Sequence, residues 1–325
     1  MDKSWMIFAV VVMLALTACG SGNNATSNKR AFIGGTQGLV FTFMPEEPPA
    51  EVTSSNYPFS TTVKIENKGE TEVAKDKIHI SLKGIDATDF GVPNANTAKL
   101  TDVQPDSDLS ANQINPDTGE IIASSPAYAT FHLQYSKPIT GNHEFPFLID
   151  TCYEYETKAN AEVCLKQNLL DNKNTKVCTP TGPRALENSG APVQVSSFLE
   201  YTSGTSAIRF TLSINKVGTG DVFKQKTTCD MNVNNPGVNQ PDKDVVHVKI
   251  TTELNGQLTC SGLGANGNDG NEGDVKMITG IKQITCVQKL EGDDQVDKIK
   301  IANVDITYDY LESIQTKVLV KQVSQ

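Results

Sequence analysis

The segment with the highest density of potential metal ligands runs from Asn266 to Asp274. Its carboxylates, on Asp269, Glu272 and Asp274, supply the oxygen atoms that hard cations such as Ca²⁺ prefer. The segment lacks the regular Asp-x-Asp-x-Asp-Gly order and the terminal bidentate Glu of an EF-hand calcium loop. We therefore favour a solvated hairpin tip, with calcium as the alternative and no other cofactor predicted.

Residue patterns of the common catalytic classes are missing from the sequence. His79, His132 and His247 lie inside strand-like segments, and His143-Glu144 does not begin a His-Glu-x-x-His motif. Neither a Gly-x-Ser-x-Gly elbow nor a phosphate-binding Gly-x-x-x-x-Gly-Lys-Ser/Thr loop occurs. The separation of a glycosidase carboxylate pair is a three-dimensional property, so a secreted hydrolase stays open as a second alternative. We predict that the protein is not an enzyme.

Six of the seven cysteines lie well beyond the N-terminal region, and an even number predicts three disulfides in a secreted chain. No Cys-x-x-Cys spacing favours a zinc site instead. We expect Cys152–Cys164 to flank a hairpin centred near Lys158, followed by Cys260–Cys286 and Cys178–Cys229. The candidates are Cys152, Cys164, Cys178, Cys229, Cys260 and Cys286.

The N-terminal region has the pattern of an export signal. An apolar run from Trp5 to Ala15 follows Lys3. The run is too short to cross a bilayer core of about 30 Å, because a helix needs roughly 20 residues to span that distance. The run ends in Leu16-Thr17-Ala18-Cys19, which resembles the lipobox of secreted lipoproteins. That resemblance implies cleavage before Cys19 and lipidation of its thiol, so that a lipid anchors the protein in a membrane. An ordinary secretory signal and an uncleaved anchor are the alternatives.

The residues after Cys19 predict a flexible tether, because residues 20–30 are rich in Ser, Gly and Asn and show no apolar periodicity. Asn24-Ala25-Thr26 is a glycosylation sequon, which makes Asn24 a candidate glycosylation site. We therefore assign residues 1–18 to the signal peptide and residues 19–36 to the tether.

Length and composition limit the remaining possibilities. The chain has 325 residues, and 28 Lys and Arg against 38 Asp and Glu give a net charge of −10. That acidic balance argues against a nucleic-acid partner. An apolar fraction of 38% is that of a core-forming chain rather than of a polytopic membrane protein. The length suggests about two units of roughly 150 residues each.

Apolar and polar residues alternate in short runs past the tether, which is typical of half-buried strands. Gly, Pro, Asn and Asp separate the runs, and Asn255-Gly256 is the strongest hairpin signal. This spacing predicts an all-β sandwich. The clearest runs are 59–65, 78–82, 129–135, 208–214, 245–250 and 299–308.

The chain also repeats itself, which predicts two homologous units. Tyr153-Glu154-Tyr155 and Tyr308-Asp309-Tyr310 lie 155 residues apart. Upstream, residues 63–73 align with 211–222 when one residue is inserted at the turn of the second copy. The predicted units are residues 37–167 and 192–325, joined by a linker over 168–191.

The strand and turn Thr62–Gly69, followed by the strand Ile78–Leu82, resemble the immunoglobulin-like, cell-adhesion-related domains of bacterial and archaeal surface proteins. The resemblance implies two tandem immunoglobulin-like β-sandwiches that present surfaces to a partner. We therefore expect a lipid-anchored, extracytoplasmic structural or adhesive binding protein whose partner is another surface protein or a glycan. A ligand- or calcium-binding accessory lipoprotein of an envelope complex is the alternative.

Overall fold

Strands form where the sequence alternates between apolar and polar residues. The computed structural model describes residues 30–55, 57–91, 100–170, 177–227, 229, 240–264 and 270–323. Within these ranges the chain is all-β, and its helical content is limited to three 3-10 turns, Lys75–Lys77, Gln240–Asp242 and Gly292–Asp294. The predicted all-β class is therefore confirmed.

The strands of the described residues are, in chain order, β1 (Leu39–Phe43), β2 (Glu51–Thr53), β3 (Pro58–Asn67), β4 (Ile78–Lys83), β5 (Gln113–Ile114), β6 (Ile121–Ile122), β7 (Ala127–Gln134), β8 (His143–Leu165), β9 (Gly182–Pro183), β10 (Leu186–Asn188), β11 (Val193–Thr202), β12 (Ala207–Lys216), β13 (Asp221–Phe223), β14 (Val245–Thr252), β15 (Leu258–Ser261), β16 (Glu272–Lys276), β17 (Ile281–Lys289) and β18 (Lys298–Lys321). The six alternating runs of the sequence coincide with β3, β4, β7, β12, β14 and β18. In β3, for example, Val63 and Ile65 are fully buried, whereas Lys64 between them is half-buried.

Two long strands, β8 and β18, form the central pair of the fold. They run antiparallel from Lys298 opposite Leu165 to Val320 opposite His143. Because β8 continues without a break through residue 158, the predicted hairpin centred near Lys158 is wrong. The repeated tyrosine motif meets its own copy here, with Tyr153 opposite Tyr310 and Tyr155 opposite Tyr308. The pairing is therefore symmetric about Glu154 and Asp309.

The central pair belongs to an eight-stranded sheet that also contains β2, β4, β10, β13, β14 and β16. The three-stranded sheet β1-β3-β7 faces one part of it, since the rings of Phe41 and Tyr153 lie 5.8 Å apart. The five-stranded sheet β15-β17-β12-β11-β9 faces another part, where the Thr157 hydroxyl donates to the Val193 carbonyl at 2.7 Å. Facing sheets with a shared apolar core are the arrangement of a β-sandwich.

The two halves of the chain are joined through the central strands. The described residues from Ala31 onward form one compact unit. In that unit β8 of the first half pairs along its whole length with β18 of the second half. The predicted boundaries 37–167, 168–191 and 192–325 and the immunoglobulin-like class of each half stay predictions. No helix among the described residues is long and apolar enough to cross a membrane.

The strand that follows Asn255-Gly256 does not return alongside β14, so the predicted hairpin is wrong. Strand β14 already has β16 and β18 as its neighbours. Strand β15 crosses to the facing sheet and pairs with β17 instead. The Asn-Gly turn, with Gly256 at a φ of 90°, therefore connects two sheets rather than two neighbouring strands.

All six predicted cysteines lie in disulfides, but only one of the three expected pairings is confirmed. Cys260 and Cys286 are bonded across β15 and β17, as expected. Cys152 is bonded to Cys229, and Cys164 is bonded to Cys178. The expected pair Cys152–Cys164 is wrong because twelve residues along the continuous strand β8 span about 40 Å, whereas a disulfide needs Cα atoms within about 7 Å. The expected pair Cys178–Cys229 is wrong because each of these cysteines is bonded to a cysteine of β8 instead.

Candidate functional site

Two of the predicted calcium ligands lie on β16, beside a histidine of β14. His247 Nδ1 lies 2.8 Å from Asp274 Oδ1, and His247 Nε2 lies 3.0 Å from Glu272 Oε1. Lys224 Nζ is 2.8 Å from Asp274 Oδ2, and Lys249 Nζ is 3.5 Å from Glu272 Oε2. The third predicted ligand, Asp269, lies outside the described residues. Both described carboxylates are therefore engaged by basic side chains.

The charges of this cluster stabilise one another. Burial opposes protonation of His247, but the hydrogen bonds and charges of Asp274 and Glu272 outweigh it and raise the pKa of the imidazole. The hydrogen bond from His247 lowers the pKa of Glu272. Burial acts against ionisation of Asp274, but hydrogen bonds from Lys224 and His247 hold its pKa below the usual value.

A cleft of about 760 Å³ opens beside the cluster, and its lining includes Lys224, Glu272 and Asp274. Among the described residues, no group of three or more His, Cys, Asp or Glu side chains is placed to hold a metal ion. A Ca²⁺ ion bound to Glu272 and Asp274 would have to displace His247 and two lysines. The arrangement therefore provides a charged, hydrogen-bonding surface rather than vacant ligands.

We expect His247→Gln to destabilise the protein more at pH 5.5 than at pH 9. Because the folded-state pKa of His247 is raised, the stabilisation is complete below the unfolded pKa of about 6.5 and is lost as pH rises through the folded pKa. The imidazole is partly exposed, so we expect a loss of only about 0.5–1 kcal/mol at pH 5.5. Thermal melts at both pH values measure the difference, with the exposed His132→Gln as control. Equal losses of stability at the two pH values would contradict a raised pKa of His247 in the folded protein.

A second histidine–aspartate pair occupies the corresponding position in the first half. His79 Nδ1 lies 2.6 Å from Asp102 Oδ1. His79 is opposite Cys152, and His247 is opposite Thr307. Residues 152 and 307 are separated by the same 155 positions as the tyrosine motifs. The alternating pattern predicts both histidines in strands but not their partners, because Asp102 and Asp274 lie in segments with no strand signal.

Four tyrosines of β8 and β18 form a buried aromatic cluster. The ring centroids of Tyr153 lie 5.7 Å from those of both Tyr155 and Tyr310, and Tyr308 lies 6.4 Å from both Tyr155 and Tyr310. All four side chains are at most 2% exposed. Burial raises the pKa of each phenol, so the hydroxyls stay protonated and serve as hydrogen-bonding groups.

A cavity of about 230 Å³ lies against this cluster and contains one acidic residue, Glu312. Buried rings of Phe41, Tyr153 and Tyr310 line it, together with exposed residues at its rim such as Thr219. Oε1 of Glu312 is buried and has no hydrogen-bond partner. Burial raises the pKa of this carboxyl to about 7. The sequence contains one signal for this carboxyl group. Glu312 continues the alternation along β18 that places Tyr308 and Tyr310 on the inward-facing side of the strand.

The remaining sequence-predicted sites, lipidation at Cys19 and glycosylation at Asn24, lie outside the described residues and stay predictions. Together, the described features are three disulfides, two histidine–aspartate pairs, a tyrosine cluster and an acidic cavity.

Comparisons with known proteins do not assign this chain to a family. No family model and no curated protein matches the sequence. One solved structure that was compared is described as "Complete structure of manganese lipoxygenase of Gaeumannomyces graminis and partial structure of zonadhesin of Komagataella pastoris". The similarity covers 87% of this chain and 92% of that chain, at 9% identity and a TM-score of 0.13. A TM-score of that size does not indicate a shared fold.

Proposed function

We propose that this chain is a lipid-anchored, extracytoplasmic binding protein in which a disulfide-linked β body is held at a membrane by Cys19. The observation that carries the proposal is the set of three disulfides in a chain that begins with a lipobox-like signal. Disulfides persist in oxidising compartments outside the cytoplasm. The sequence signal and the cross-links therefore support the same location by independent physical arguments.

The β architecture supports a structural or adhesive role at the cell surface or envelope. We propose that each half is an immunoglobulin-like sandwich, since each has a smaller sheet facing the eight-stranded sheet. Such a body presents loops and sheet edges to a partner, which we expect to be a surface protein or a glycan. The role of an accessory lipoprotein that binds a ligand is the second candidate, favoured by the acidic cavity at Glu312.

Cys19→Ser tests the anchor directly. We expect the unsubstituted protein, lipidated at Cys19, in the membrane fraction and Cys19→Ser in the soluble extracytoplasmic fraction, because stable attachment needs two or more lipid chains. Cleavage before Cys19 also removes Trp5, the only tryptophan, so the mature protein shows no tryptophan emission. Substitution of a disulfide cysteine, Cys260→Ser, is the matched control and leaves the protein membrane-bound. A Cys19→Ser protein that stays in the membrane fraction would refute the anchor.

The binding role is tested by crosslinking on intact cells. We expect the anchored protein to capture a defined surface protein or glycan that a tethered, unrelated lipoprotein does not capture.

The alternative that the protein is a secreted hydrolase makes a different prediction. It requires activity on a panel of glycans and esters that disappears on a single carboxylate or serine substitution.

A further inference from the structure

We propose that the cavity at Glu312 binds a small organic cation through a primary ammonium group. The inference deepens the proposed binding role by naming a ligand class, and it rests on that proposal only for its biological setting. It depends on an unpaired carboxylate, on the aromatic lining around that carboxylate and on the size of the cavity.

The carboxylate of Glu312 is the feature that calls for a cationic ligand. Its Oε1 atom is buried and receives no hydrogen bond. Of the described residues that line the cavity, Glu312 is the one that carries an acidic or basic side chain. A buried, unpartnered carboxylate oxygen costs stability, and such groups are concentrated at functional sites. An ammonium group supplies the missing donor and the compensating charge at once.

Aromatic side chains give the cavity a second means of holding a cation. Phe41, Tyr153 and Tyr310 line it, and each of these residues is at most 4% exposed. Backbone hydrogen bonds fix the two phenols, since Leu39 N donates to Tyr153 Oη at 3.3 Å and Gly220 N donates to Tyr310 Oη at 2.7 Å. A cation within about 6 Å of an aromatic face is stabilised by the ring quadrupole. A cation therefore gains this attraction wherever it lies over one of these rings, and a neutral ligand of the same shape does not.

The size and chemistry of the cavity favour an amine over a metal ion. A volume of about 230 Å³ corresponds to between seven and eight water molecules at roughly 30 Å³ each. That space holds an ammonium group and a short alkyl chain. Ca²⁺ requires six to eight oxygen ligands, usually including several carboxylates, whereas the lining contains the single carboxylate of Glu312.

Binding of an ammonium ion should depend on pH, because it requires the ionised form of Glu312. Burial raises the pKa of Glu312 to about 7 in the free protein. The facing phenols do not titrate near pH 7, since burial raises the pKa of Tyr153 well above 10 and that of Tyr310 to about 12. Asp221, whose charge acts on Tyr310, is ion-paired with Lys243 at 2.9 Å. We therefore expect affinity to be about 30-fold weaker at pH 5.5 than at pH 8.

Calorimetry on the purified full-length protein tests the proposal with n-butylammonium and with 1-butanol as its neutral counterpart. We expect butylammonium to bind at pH 8, butanol to bind at least tenfold more weakly, and Glu312→Gln to reduce amine affinity at least tenfold. Glu144→Gln is the matched control, because Glu144 is 61% exposed and pairs with Lys317 away from the cavity. Equal binding of butanol, or unchanged amine affinity in Glu312→Gln, would overturn the proposal.

A measurement on the unsubstituted protein guards against a variant that fails to fold. Nuclear magnetic resonance titration of the Glu312 carboxyl should show its pKa falling when butylammonium is added, and an unchanged pKa would contradict binding at this site.

A second ligand, Nα-acetyl-lysine methylamide, separates the two sources of the ammonium group, which are a lysine side chain and a free amine. Tighter binding of this compound than of butylammonium assigns the cavity to a lysine side chain, and the reverse assigns it to a free amine. Failure of both amines would leave the Cys19→Ser result unaffected, so the two proposals fail separately.

Discussion

Replacing Cys152 and Cys229 together by Ala should lower the free energy of unfolding by about 4.5 kcal/mol, the largest loss among the three disulfides. This bond joins residues 77 positions apart and connects β8 of the first half to the segment after β13 of the second. Cross-linking restricts the unfolded chain more when the closed loop is longer. The loss therefore arises mainly in the unfolded state.

The folded structure should survive this double substitution because other contacts hold the same segment. The buried carboxylate of Asp309 accepts backbone hydrogen bonds from Lys226 at 3.0 Å, from Thr227 at 3.2 Å and from Cys229 at 3.1 Å. Asp309 lies on β18 opposite Glu154, two positions from Cys152 along β8. These bonds keep residue 229 near residue 152 without the sulfur bridge.

Denaturant unfolding under non-reducing conditions measures the loss, and the other two disulfides are the matched controls. Cys260 and Cys286 are separated by 26 positions, and Cys164 and Cys178 by 14. The same chain-entropy relation predicts losses of about 3.5 and about 3 kcal/mol for the corresponding Ala pairs. A loss for the Cys152–Cys229 pair smaller than either control would contradict the loop-length argument.

Strand positions could be predicted from the sequence because they depend on local alternation. In β12, for instance, Phe210, Leu212 and Ile214 are fully buried and the residues between them are half-buried. That contrast is visible in the residue types alone. The predicted strands of β3, β4, β7, β12, β14 and β18 were found for this reason.

Strand partners could not be predicted in the same way, because they are set by residues far away in the chain. Buried and more exposed positions of β8 alternate without interruption from residue 154 to residue 163, on both sides of the predicted turn. Such alternation is the same in one strand of 23 residues and in a hairpin of two shorter strands. The error in the Cys152–Cys164 pairing follows from that ambiguity. The aspartate partners of His79 and His247 are not predictable for a related reason, since they lie 23 and 27 residues further on.

The upstream repeat is visible in the sequence, but the predicted alignment of its strands is wrong by one residue. Strand β3 buries Val63 and Ile65, whereas β12 buries Leu212 and Ile214, so equivalent positions differ by 149 residues rather than 148. A shift of one residue moves every side chain of a strand to the opposite face. With the corrected alignment, Gly69 corresponds to Gly218, and no insertion is needed at the turn.

Gly69→Ala should lower the free energy of unfolding by about 3 kcal/mol, because the new methyl group would overlap two buried atoms. A Cβ atom at residue 69 would come within 3.0 Å of the Tyr155 hydroxyl and of the Gly190 carbonyl oxygen. Neither can move freely, since Tyr155 is 2% exposed and the second contact is backbone. Gly218 has the equivalent fit, where a Cβ atom would approach the Tyr310 hydroxyl and Cβ of Pro192 within 3.0 Å.

Chemical denaturation of Gly69→Ala, Gly218→Ala and a control, Gly270→Ala, tests this fit. The nearest atoms to a Cβ atom at residue 270 lie at 3.9 Å, which is ordinary contact, so the control should change stability by less than 1 kcal/mol. Adding Tyr155→Phe to Gly69→Ala should recover only part of the loss, because the Gly190 carbonyl remains. Full recovery would assign the clash to the hydroxyl alone, and a loss no greater than the control's would contradict the tight fit. Comparable losses at residues 69 and 218 would indicate that both halves close their turns against a tyrosine of the central strand pair.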